Sequence, residues 1–303
     1  MKHFLEISQL SRARIESLLE RALYLKQLTH YPSYPQHTVA HLFYENSTRT
    51  RVSFELAANH LSMPVVNLDL QGSSESKGEI IEDTIRTLAA MGISIFVIRH
   101  KQEGLQQHLA DTLGDEVHVV NAGDGTHAHP SQAILDMMTI IEQKPQVSEL
   151  KIAILGNIRH SRVANSFQCL CSHLGVGELV LICPDLWQPQ TMHYGRVTHD
   201  MQEGLSQADV VICLRVQNER LLDCEYIDLK SYRRDFALTQ KTLAYAKLNA
   251  MVMHPGPINR GVEMDSDVAD GPQSFILQQV RNGVFARMAI FESLINSASD
   301  TDF

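Results

Sequence analysis

The 303-residue sequence has no long apolar run, no surplus of basic residues and no paired-cysteine motif. No stretch approaches the roughly 18 consecutive apolar residues that span a membrane. The opening segment, MKHFLEISQLSRARIE, carries scattered charges where a secretory signal has an apolar core. The formal net charge of -9 is opposite in sign to the basic patch of a nucleic-acid-binding surface. We therefore expect a soluble, cytoplasmic protein that binds neither nucleic acid nor a membrane.

Cysteines are few and lie only in the second half of the chain. None forms a CxxC pair and no histidines follow at finger-like spacing, so the pattern predicts free thiols and no metal site. The turn after the apolar run 151–155 has a single glycine, Gly156, where a dinucleotide fingerprint requires GxGxxG. We therefore expect neither NAD nor any other organic cofactor. The five cysteines are Cys169, Cys171, Cys183, Cys213 and Cys224.

The composition, 44% hydrophobic and 20% charged, is that of an ordinary globular protein, and the length suits two domains. Short apolar runs rich in β-branched residues alternate with amphipathic segments. This pattern predicts an α/β fold of two Rossmann-like domains, each a parallel sheet flanked by helices. The strand candidates are 38–44, 64–68, 93–98 and 117–121, then 151–155, 179–183, 210–214 and 250–253. The first-half helix candidates are 8–28, 50–61, 79–91, 103–113 and 131–142.

The domain boundary is predicted in the polar segment 143–148, because Pro145 cannot continue a helix. The first domain is then 1–143 and the second 148–272. The last amphipathic stretch, 273–296, is expected to pack back on the first domain.

The segment STRTR, residues 47–51, follows a buried strand candidate and opens a helix candidate. The first backbone N–H groups of a helix lack intrahelical partners, and the helix dipole adds positive potential, so anions bind there. Ser47 is positioned to cap the helix, and Thr48, Arg49 and Thr50 add side-chain donors. A plain cap followed by solvated arginines would explain a bare Ser-x-Arg equally well.

Two further groups belong to the first half. Arg99 follows the apolar run IFVI, at the strand end where open α/β sheets bind ligands. In GDGTHAHPSQ, Pro130 suits the first turn of a helix and would hold the side chains of His129 and Gln132 in fixed directions. Taken alone, Arg99 would be a surface charge and His129 a polar loop residue.

STRTR followed by SFE, together with HPSQ, resembles the signature of the aspartate and ornithine carbamoyltransferase family. The resemblance implies that Ser47, Thr48, Arg49 and Thr50 hold the phosphate of carbamoyl phosphate, and that Arg99 binds its phosphate and carbonyl. His129 is implied to donate to the carbonyl oxygen and Gln132 to accept from the carbamoyl NH2. Arg49, Thr50, Arg99 and His129 are the implied catalytic residues, and Arg51 is implied to be structural.

The polar loop GSSESKGEIIEDT is also similar to a loop of this family. In the aspartate-specific members that loop reaches the active site of a neighbouring subunit. Ser73 and Lys77 are thus implied to bind substrate in a site they do not share with their own STRTR. A homotrimer is the implied minimum active unit, and a higher assembly with regulatory or dihydroorotase-like chains is left open.

The second half resembles the aspartate-specific branch of the family in three places. Arg162 in GNIRHSR is implied to contact an acceptor carboxylate, although Asn157 stands where the family usually has Asp. Arg215 and Gln217 in RVQNER are implied to clamp a carboxylate. In the loop HPGP, Gly256 and Pro257 are implied to place backbone carbonyls near the acceptor amine.

The HPGP loop lacks the cysteine of the ornithine-specific HCLP pattern, and paired arginines suit a dicarboxylate acceptor. The expected reaction is carbamoyl transfer from carbamoyl phosphate to the α-amine of L-aspartate, giving N-carbamoyl-L-aspartate and phosphate, an early step of de novo pyrimidine biosynthesis. Two alternatives are a transferase for another amino acid and a related scaffold that has lost catalysis and serves as a partner subunit.

Overall fold

The computed structural model describes residues 1–68, 78–216 and 226–296. They form two compact units. The described residues of Met1–Met138 and Val280–Phe303 make the first unit, and those of Thr139–Gln279 make the second. Among these residues, no helix has the length and apolar character required to cross a membrane.

The first unit contains a four-stranded sheet in which every pairing is parallel. Its strands are β1 (Thr38–Phe43), β2 (Val65–Asn67), β3 (Ile93–His100) and β4 (His118–Asp124), in the order β2-β1-β3-β4. Its helices are α1 (Arg12–Gln27), α2 (Thr48–His60), α3 (Ile81–Ala90), α4 (Leu105–Leu113) and the start of α5 (Pro130–Gln143). Short 3-10 turns lie at Ile7–Gln9 and Gly114–Glu116.

The strands of this sheet are almost continuously hydrophobic, as expected for a parallel sheet covered on both faces. Leu42, Phe96 and Ile98 are fully buried and share one core with residues of α4. On the C-terminal helix, Phe291 packs against Phe54 with ring centroids 5.7 Å apart. The last helix thus covers the helix that begins at STRTR.

The second unit contains a five-stranded sheet, again parallel throughout. Its strands are β5 (Lys151–Leu155), β6 (Glu178–Ile182), β7 (Arg196–Thr198), β8 (Val210–Cys213) and β9 (Met251–Met253), in the order β7-β6-β5-β8-β9. Its helices are α6 (Arg162–Leu174), α7 (Met201–Leu205), α8 (Leu229–Phe236), α9 (Gln240–Leu243), α10 (Ser266–Ala269) and the start of α11 (Ile276–Ile295). Further 3-10 turns lie at Val147–Glu149 and Asp185–Trp187.

The predicted fold class is confirmed, since each unit is a parallel sheet flanked by helices. Several element bounds differ from the sequence prediction by a few residues, and two differences are larger. Strand β7 was not predicted, because only Thr198 of its three residues is buried and it carries no apolar run. The single helix expected at 8–28 is a 3-10 turn followed by α1, which starts after Ser11 because the Ser11 side chain accepts a hydrogen bond from the Arg14 amide.

Candidate active site

In the first sheet the strand order reverses between β1 and β3, since β2 lies on one side of β1 while β3 and β4 follow on the other. Open α/β sheets bind ligands beside such a reversal, at the carboxyl ends of the strands. Ser47 to Thr50 follow β1, Arg99 lies near the end of β3, and His129 and Gln132 follow β4. The topology therefore brings the predicted donor-side residues of this unit to one edge of its sheet.

Helix α2 begins at Thr48, two positions before the predicted start, so Thr48 and Arg49 belong to its first turn. Ser47 occupies the N-cap position as predicted, but its side chain makes no capping hydrogen bond. No acidic residue lies in the first turn. The amides and hydroxyls at this helix start can therefore be offered to an anion.

Arg49 is exposed in the first turn of α2. Its side chain forms no hydrogen bond or ion pair with any residue in the described part of the chain. Thr50, in contrast, is buried, with 6% of its surface exposed. The guanidinium is thus available to a ligand, while Thr50 is held by its surroundings.

Arg99 is fixed at both ends of its guanidinium. Its Nε lies 3.3 Å from the Glu45 carboxylate, and its Nη1 donates to the Ala122 carbonyl at 3.2 Å. Its own carbonyl accepts from the Tyr44 amide at 2.9 Å. Sequence reasoning missed Glu45, although a charged residue directly after a buried strand and before STRTR was a usable signal. This pre-organisation lowers the entropy that a ligand would lose by ordering Arg99.

His129 precedes helix α5, and Gln132 lies in its first turn. Pro130 is the first residue of the helix, one position before the predicted start, and the His129 carbonyl accepts from the Gln132 amide at 3.1 Å. Both side chains are nearly buried, with 5% and 8% of their surfaces exposed. The Gln132 side chain donates from Nε2 to Oδ1 of Asp136 at 2.8 Å. Asp136 was missed, although its i,i+4 spacing from Gln132 was visible in the sequence.

The turn between β4 and His129 is held by Asp124. Its carboxylate accepts from the Gly104 amide at 3.0 Å and from Nδ1 of His127 at 2.9 Å. The hydrogen bond to Asp124 raises the pKa of His127, partial burial opposes the shift, and the charges of Glu6 and Glu103 support it. The protonated imidazole is therefore favoured in the folded protein.

Because its pKa is raised in the folded protein, His127 makes a pH-dependent contribution to the free energy of unfolding. That contribution is complete below the ordinary value of 6.5 and is lost as the pH rises through the higher folded-state value. In His127→Gln we expect a smaller fall in the thermal unfolding midpoint than in the wild type as the pH is raised across this interval. Parallel midpoint curves for the two proteins would contradict this assignment.

In the second sheet the strand order reverses between β5 and β8. Arg162 is the first residue of α6, the helix that follows β5, and has 4% of its surface exposed. Gly156 has a φ of 132°, and a Cβ there would lie 2.9 Å from the Leu214 carbonyl oxygen. Glycine is therefore required where the turn after β5 approaches the segment after β8.

Arg215 follows β8, and the HPGP loop follows β9, the neighbour of β8. Asn157, after β5, is buried, and its Oδ1 accepts from the His160 amide at 3.2 Å. The Gly256–Pro257 peptide bond is cis. The predicted acceptor-side residues that the structure describes therefore follow three adjacent strands, β5, β8 and β9.

A buried carboxylate that sequence reasoning missed ties two of these segments together. Glu263, with no exposed surface, accepts from the Asn259 amide at 2.5 Å and the Val216 amide at 3.4 Å. Its Oε1 also lies 3.4 Å from Nε2 of His254. Asn259 Nδ2 in turn donates to the Val216 carbonyl at 3.0 Å. The segment of Arg215 and the HPGP loop thus share one set of hydrogen bonds.

Three predicted substrate residues, Ser73, Lys77 and Gln217, lie outside the described residues. Within the described ranges, no three or more His, Cys, Asp or Glu side chains are grouped to hold a metal ion. Four of the cysteines are described, namely Cys169, Cys171, Cys183 and Cys213, and all are free thiols.

Comparison with models of known protein families identifies the family of this chain. The model for "Aspartate/ornithine carbamoyltransferase, carbamoyl-P binding domain" matches residues 2–142. The model for "Aspartate/ornithine carbamoyltransferase, Asp/Orn binding domain" matches residues 148–294. The chain belongs to the aspartate/ornithine carbamoyltransferase family, which confirms the resemblance drawn from STRTR and HPSQ.

Individual members of this family show which proteins the chain is similar to. The aspartate carbamoyltransferase catalytic subunit of Legionella pneumophila (strain Corby) is 74% identical over 297 residues, covering 98% of this chain and all of that protein. Trypanosoma cruzi aspartate transcarbamoylase, solved with carbamoyl aspartate and phosphate, matches with a TM-score of 0.88 at 29% identity over 97% and 96% of the two chains. Pyrococcus furiosus ornithine carbamoyltransferase matches with 0.85 at 27% identity over 96% of each chain. The fold alone therefore does not choose the acceptor.

Proposed function

We propose that this chain transfers the carbamoyl group of carbamoyl phosphate to the α-amine of L-aspartate, giving N-carbamoyl-L-aspartate and phosphate. The observation that carries the proposal is the 74% identity to an aspartate carbamoyltransferase catalytic subunit along nearly the whole chain. The residue pattern after β5, β8 and β9 supports the same acceptor. By its products the reaction belongs to pyrimidine biosynthesis.

The first unit is the carbamoyl phosphate-binding part in this proposal. Ser47, Thr48, Arg49 and Thr50 bind the phosphate, aided by the helix N-terminus and by Ser73 and Lys77. Arg99 bridges phosphate and carbonyl, His129 donates to the carbonyl oxygen, and Gln132 accepts from the NH2. The fixed guanidinium of Arg99 and the unused donors at the start of α2 support these assignments.

The second unit is the aspartate-binding part. Arg215, assisted by Gln217, clamps one carboxylate, and Arg162 with Lys77 receives the other. Backbone carbonyls at Gly256 and Pro257 accept from the attacking amine. Positions at the ends of three adjacent strands support a common binding site for these groups in the second unit.

In the reaction, the neutral α-amine of aspartate attacks the carbonyl carbon of carbamoyl phosphate. The carbonyl carbon becomes tetrahedral, and its oxygen becomes an oxyanion that Thr50, Arg99 and His129 stabilise. The C–O bond to phosphate then breaks, and the departing phosphate takes the amine proton. Positioning and electrostatics supply most of the catalysis, since no side chain is assigned as general base.

The proposed active assembly is a cytoplasmic homotrimer in which Ser73 and Lys77 act in a neighbour's site. The free thiols of the described cysteines agree with a reducing compartment. Sedimentation or light scattering of the purified chain tests this state. A monomer with full activity would contradict the sharing of sites.

The reaction itself is tested by incubating the purified protein with carbamoyl phosphate and a panel of acceptors. Carbamoylation of aspartate, with little or none of ornithine, is the expected result. Preference for another amino acid would replace the acceptor assignment. Absence of turnover with every acceptor would favour a non-catalytic partner subunit.

The shared hydrogen bonds at Glu263 predict a selective effect on the acceptor. In Glu263→Gln, an NH2 group replaces either Oε2, which accepts from the Val216 amide, or Oε1, which accepts from the Asn259 amide, so one of these backbone N–H groups loses its acceptor. We expect about a tenfold rise in the KM for aspartate, comparable to the loss of one hydrogen bond to a charged group. The KM for carbamoyl phosphate should stay within about twofold.

Glu292→Gln is a matched control for that variant. Glu292 is also buried, with 2% of its surface exposed, but lies in the first unit and pairs with Arg21 at 2.6 Å. It should lower stability without raising the KM for aspartate. An equal rise in both variants would show that lost stability, and not acceptor positioning, causes the change.

A further inference from the structure

A buried carboxylate fixes which end of the Gln132 amide faces outward. Gln132 donates from Nε2 to Oδ1 of Asp136 at 2.8 Å, and Asp136 has no exposed surface. An ionised carboxylate only accepts hydrogen bonds, so the NH2 end of the Gln132 amide must point at it. The amide oxygen is then the end left for a ligand.

The C-terminal helix places a buried cation beside α5, the helix of Asp136. Arg287, on α11, has 2% of its surface exposed. Burial lowers the pKa of Arg287 to about 9, and the negative charge of Asp136 opposes that shift. The guanidinium therefore stays protonated at neutral pH and can balance the buried carboxylate.

Arg287 also contacts both helices that carry donor-side residues. Its Nη2 donates to the Ser131 hydroxyl at 3.4 Å, in the first turn of α5. Its Cζ lies 4.8 Å from the ring centroid of Phe54, on α2, a cation–π distance. The Arg287 guanidinium is thus held by contacts to α5 and to α2.

Gly283, one turn earlier on α11, lies against this guanidinium. Arg287 Nη1 donates to the Gly283 carbonyl at 3.0 Å. A Cβ at position 283 would lie 2.6 Å from Nη1 and 3.4 Å from Cδ2 of Leu135. Burying both a carboxylate at Asp136 and a guanidinium at Arg287 costs more free energy than an apolar core at these positions, which points to a role beyond packing.

We propose that Asp136 is a positioning residue that turns the Gln132 oxygen toward the NH2 group of carbamoyl phosphate, with Arg287 as its counter-ion. The proposal rests on the proposed function, which assigns Gln132 to the carbamoyl NH2. Asp136 then determines donor specificity without touching the donor. It lets the site select a carbamoyl group over an acyl group of the same size.

Acetyl phosphate is the probe that isolates this selection. It has the size and charge of carbamoyl phosphate, but a methyl group replaces the NH2 and cannot donate to Gln132. Inorganic phosphate has neither group and reports only on the anion site. An asparagine at position 136 would turn its oxygen toward the Arg287 guanidinium and its NH2 group toward Gln132, so the Gln132 amide would point its oxygen inward and its NH2 group outward.

The experiment measures the KM for carbamoyl phosphate at saturating aspartate, and the inhibition constants of acetyl phosphate and inorganic phosphate, in the full chain. In Asp136→Asn we expect the KM for carbamoyl phosphate to rise about tenfold, the loss of roughly one hydrogen bond. The two inhibition constants should change less than about twofold. The preference for carbamoyl over acetyl phosphate therefore falls about tenfold.

Asp136→Asn alone leaves a buried guanidinium without its counter-charge, which is expected to destabilise the protein. The double variant Asp136→Asn, Arg287→Met removes both charges at similar volume and should fold, with a smaller loss of preference of about twofold because both orientations of the Gln132 amide are then satisfied. Should neither variant fold, Asp136→Leu with Arg287→Leu decides, because a packed apolar pair can replace a buried charged pair and leaves the Gln132 amide without the acceptor that orients it. Lost preference supports the proposal, and retained preference overturns it.

Glu292→Gln again serves as the control, because it alters a buried carboxylate on α11 with no contact to Gln132. It should leave the preference unchanged. Equal weakening of all three ligands in the Asp136 variants, or an unchanged preference, would overturn the proposal. A wild-type protein that does not use carbamoyl phosphate would instead overturn the proposed function, so the two failures are distinguishable.

Discussion

Arg49→Ala should abolish carbamoyl phosphate turnover while the protein remains folded. The Arg49 side chain is exposed and forms no hydrogen bond or ion pair within the described ranges, so its truncation breaks no polar contact that the structure records. The variant loses bidentate, charge-assisted hydrogen bonding to the phosphate, and each such hydrogen bond contributes about 1.5 to 3 kcal/mol. We expect kcat/KM for carbamoyl phosphate to fall about 1,000-fold or more, measured by the release of phosphate, with an unchanged thermal midpoint.

Arg51→Ala is the matched control, since it removes the same side chain from the same exposed stretch of α2. At 3.6 residues per turn, a residue two positions on lies about 200° round the helix and faces away from Arg49. Activity within about twofold of the wild type is expected. Near-normal turnover in Arg49→Ala, or an equal loss in both variants, would refute the phosphate assignment of Arg49.

His129→Ala should lower kcat by about 100- to 1,000-fold, the usual effect of removing one donor to an oxyanion. His129 is nearly buried at the N-terminus of the 14-residue helix α5, where the dipole also favours negative charge. Since the oxyanion exists only in the transition state, the KM for carbamoyl phosphate should change far less than kcat. Steady-state kinetics with both substrates varied separates the two parameters.

His129→Gln and His127→Ala refine that result. Glutamine can still present an N–H donor, so it should recover part of the lost rate. His127 bonds to Asp124 and has no assigned role in the reaction, so its removal should leave kcat within a few-fold of the wild type. A large rise in KM with unchanged kcat in His129→Ala would mean that His129 stabilises the ground state as much as the transition state.

The sequence was sufficient for the sheet strands that carry clear apolar runs. The run at 151–155 became β5 without any change of bounds, and the start of β1 was also correct. The start of α2 was placed two residues late, because Thr48 and Arg49 are polar and the apolar period of the helix begins only after them. Helix starts without an apolar residue are poorly marked by hydrophobic periodicity.

The partners of the site residues were harder to predict than the residues themselves. Glu263 meets Val216 across 47 positions of sequence, and Arg287 meets Ser131 across 156. No local pattern indicates such contacts, because they arise only when separate elements pack together. Asp136 is the exception, since its distance of one helical turn from Gln132 could be read directly.

The reversal of strand order between β5 and β8 has a consequence for how acceptor specificity can change. The acceptor-side residues stand on segments that leave three neighbouring strand ends, and such segments can be replaced without altering the buried strands that carry them. Substituting the HPGP loop and the segment that begins at Arg215 should therefore be a route to a transferase for a new amine. Apart from Lys77, which is also proposed to receive an aspartate carboxylate, the donor-side residues would need no matching change.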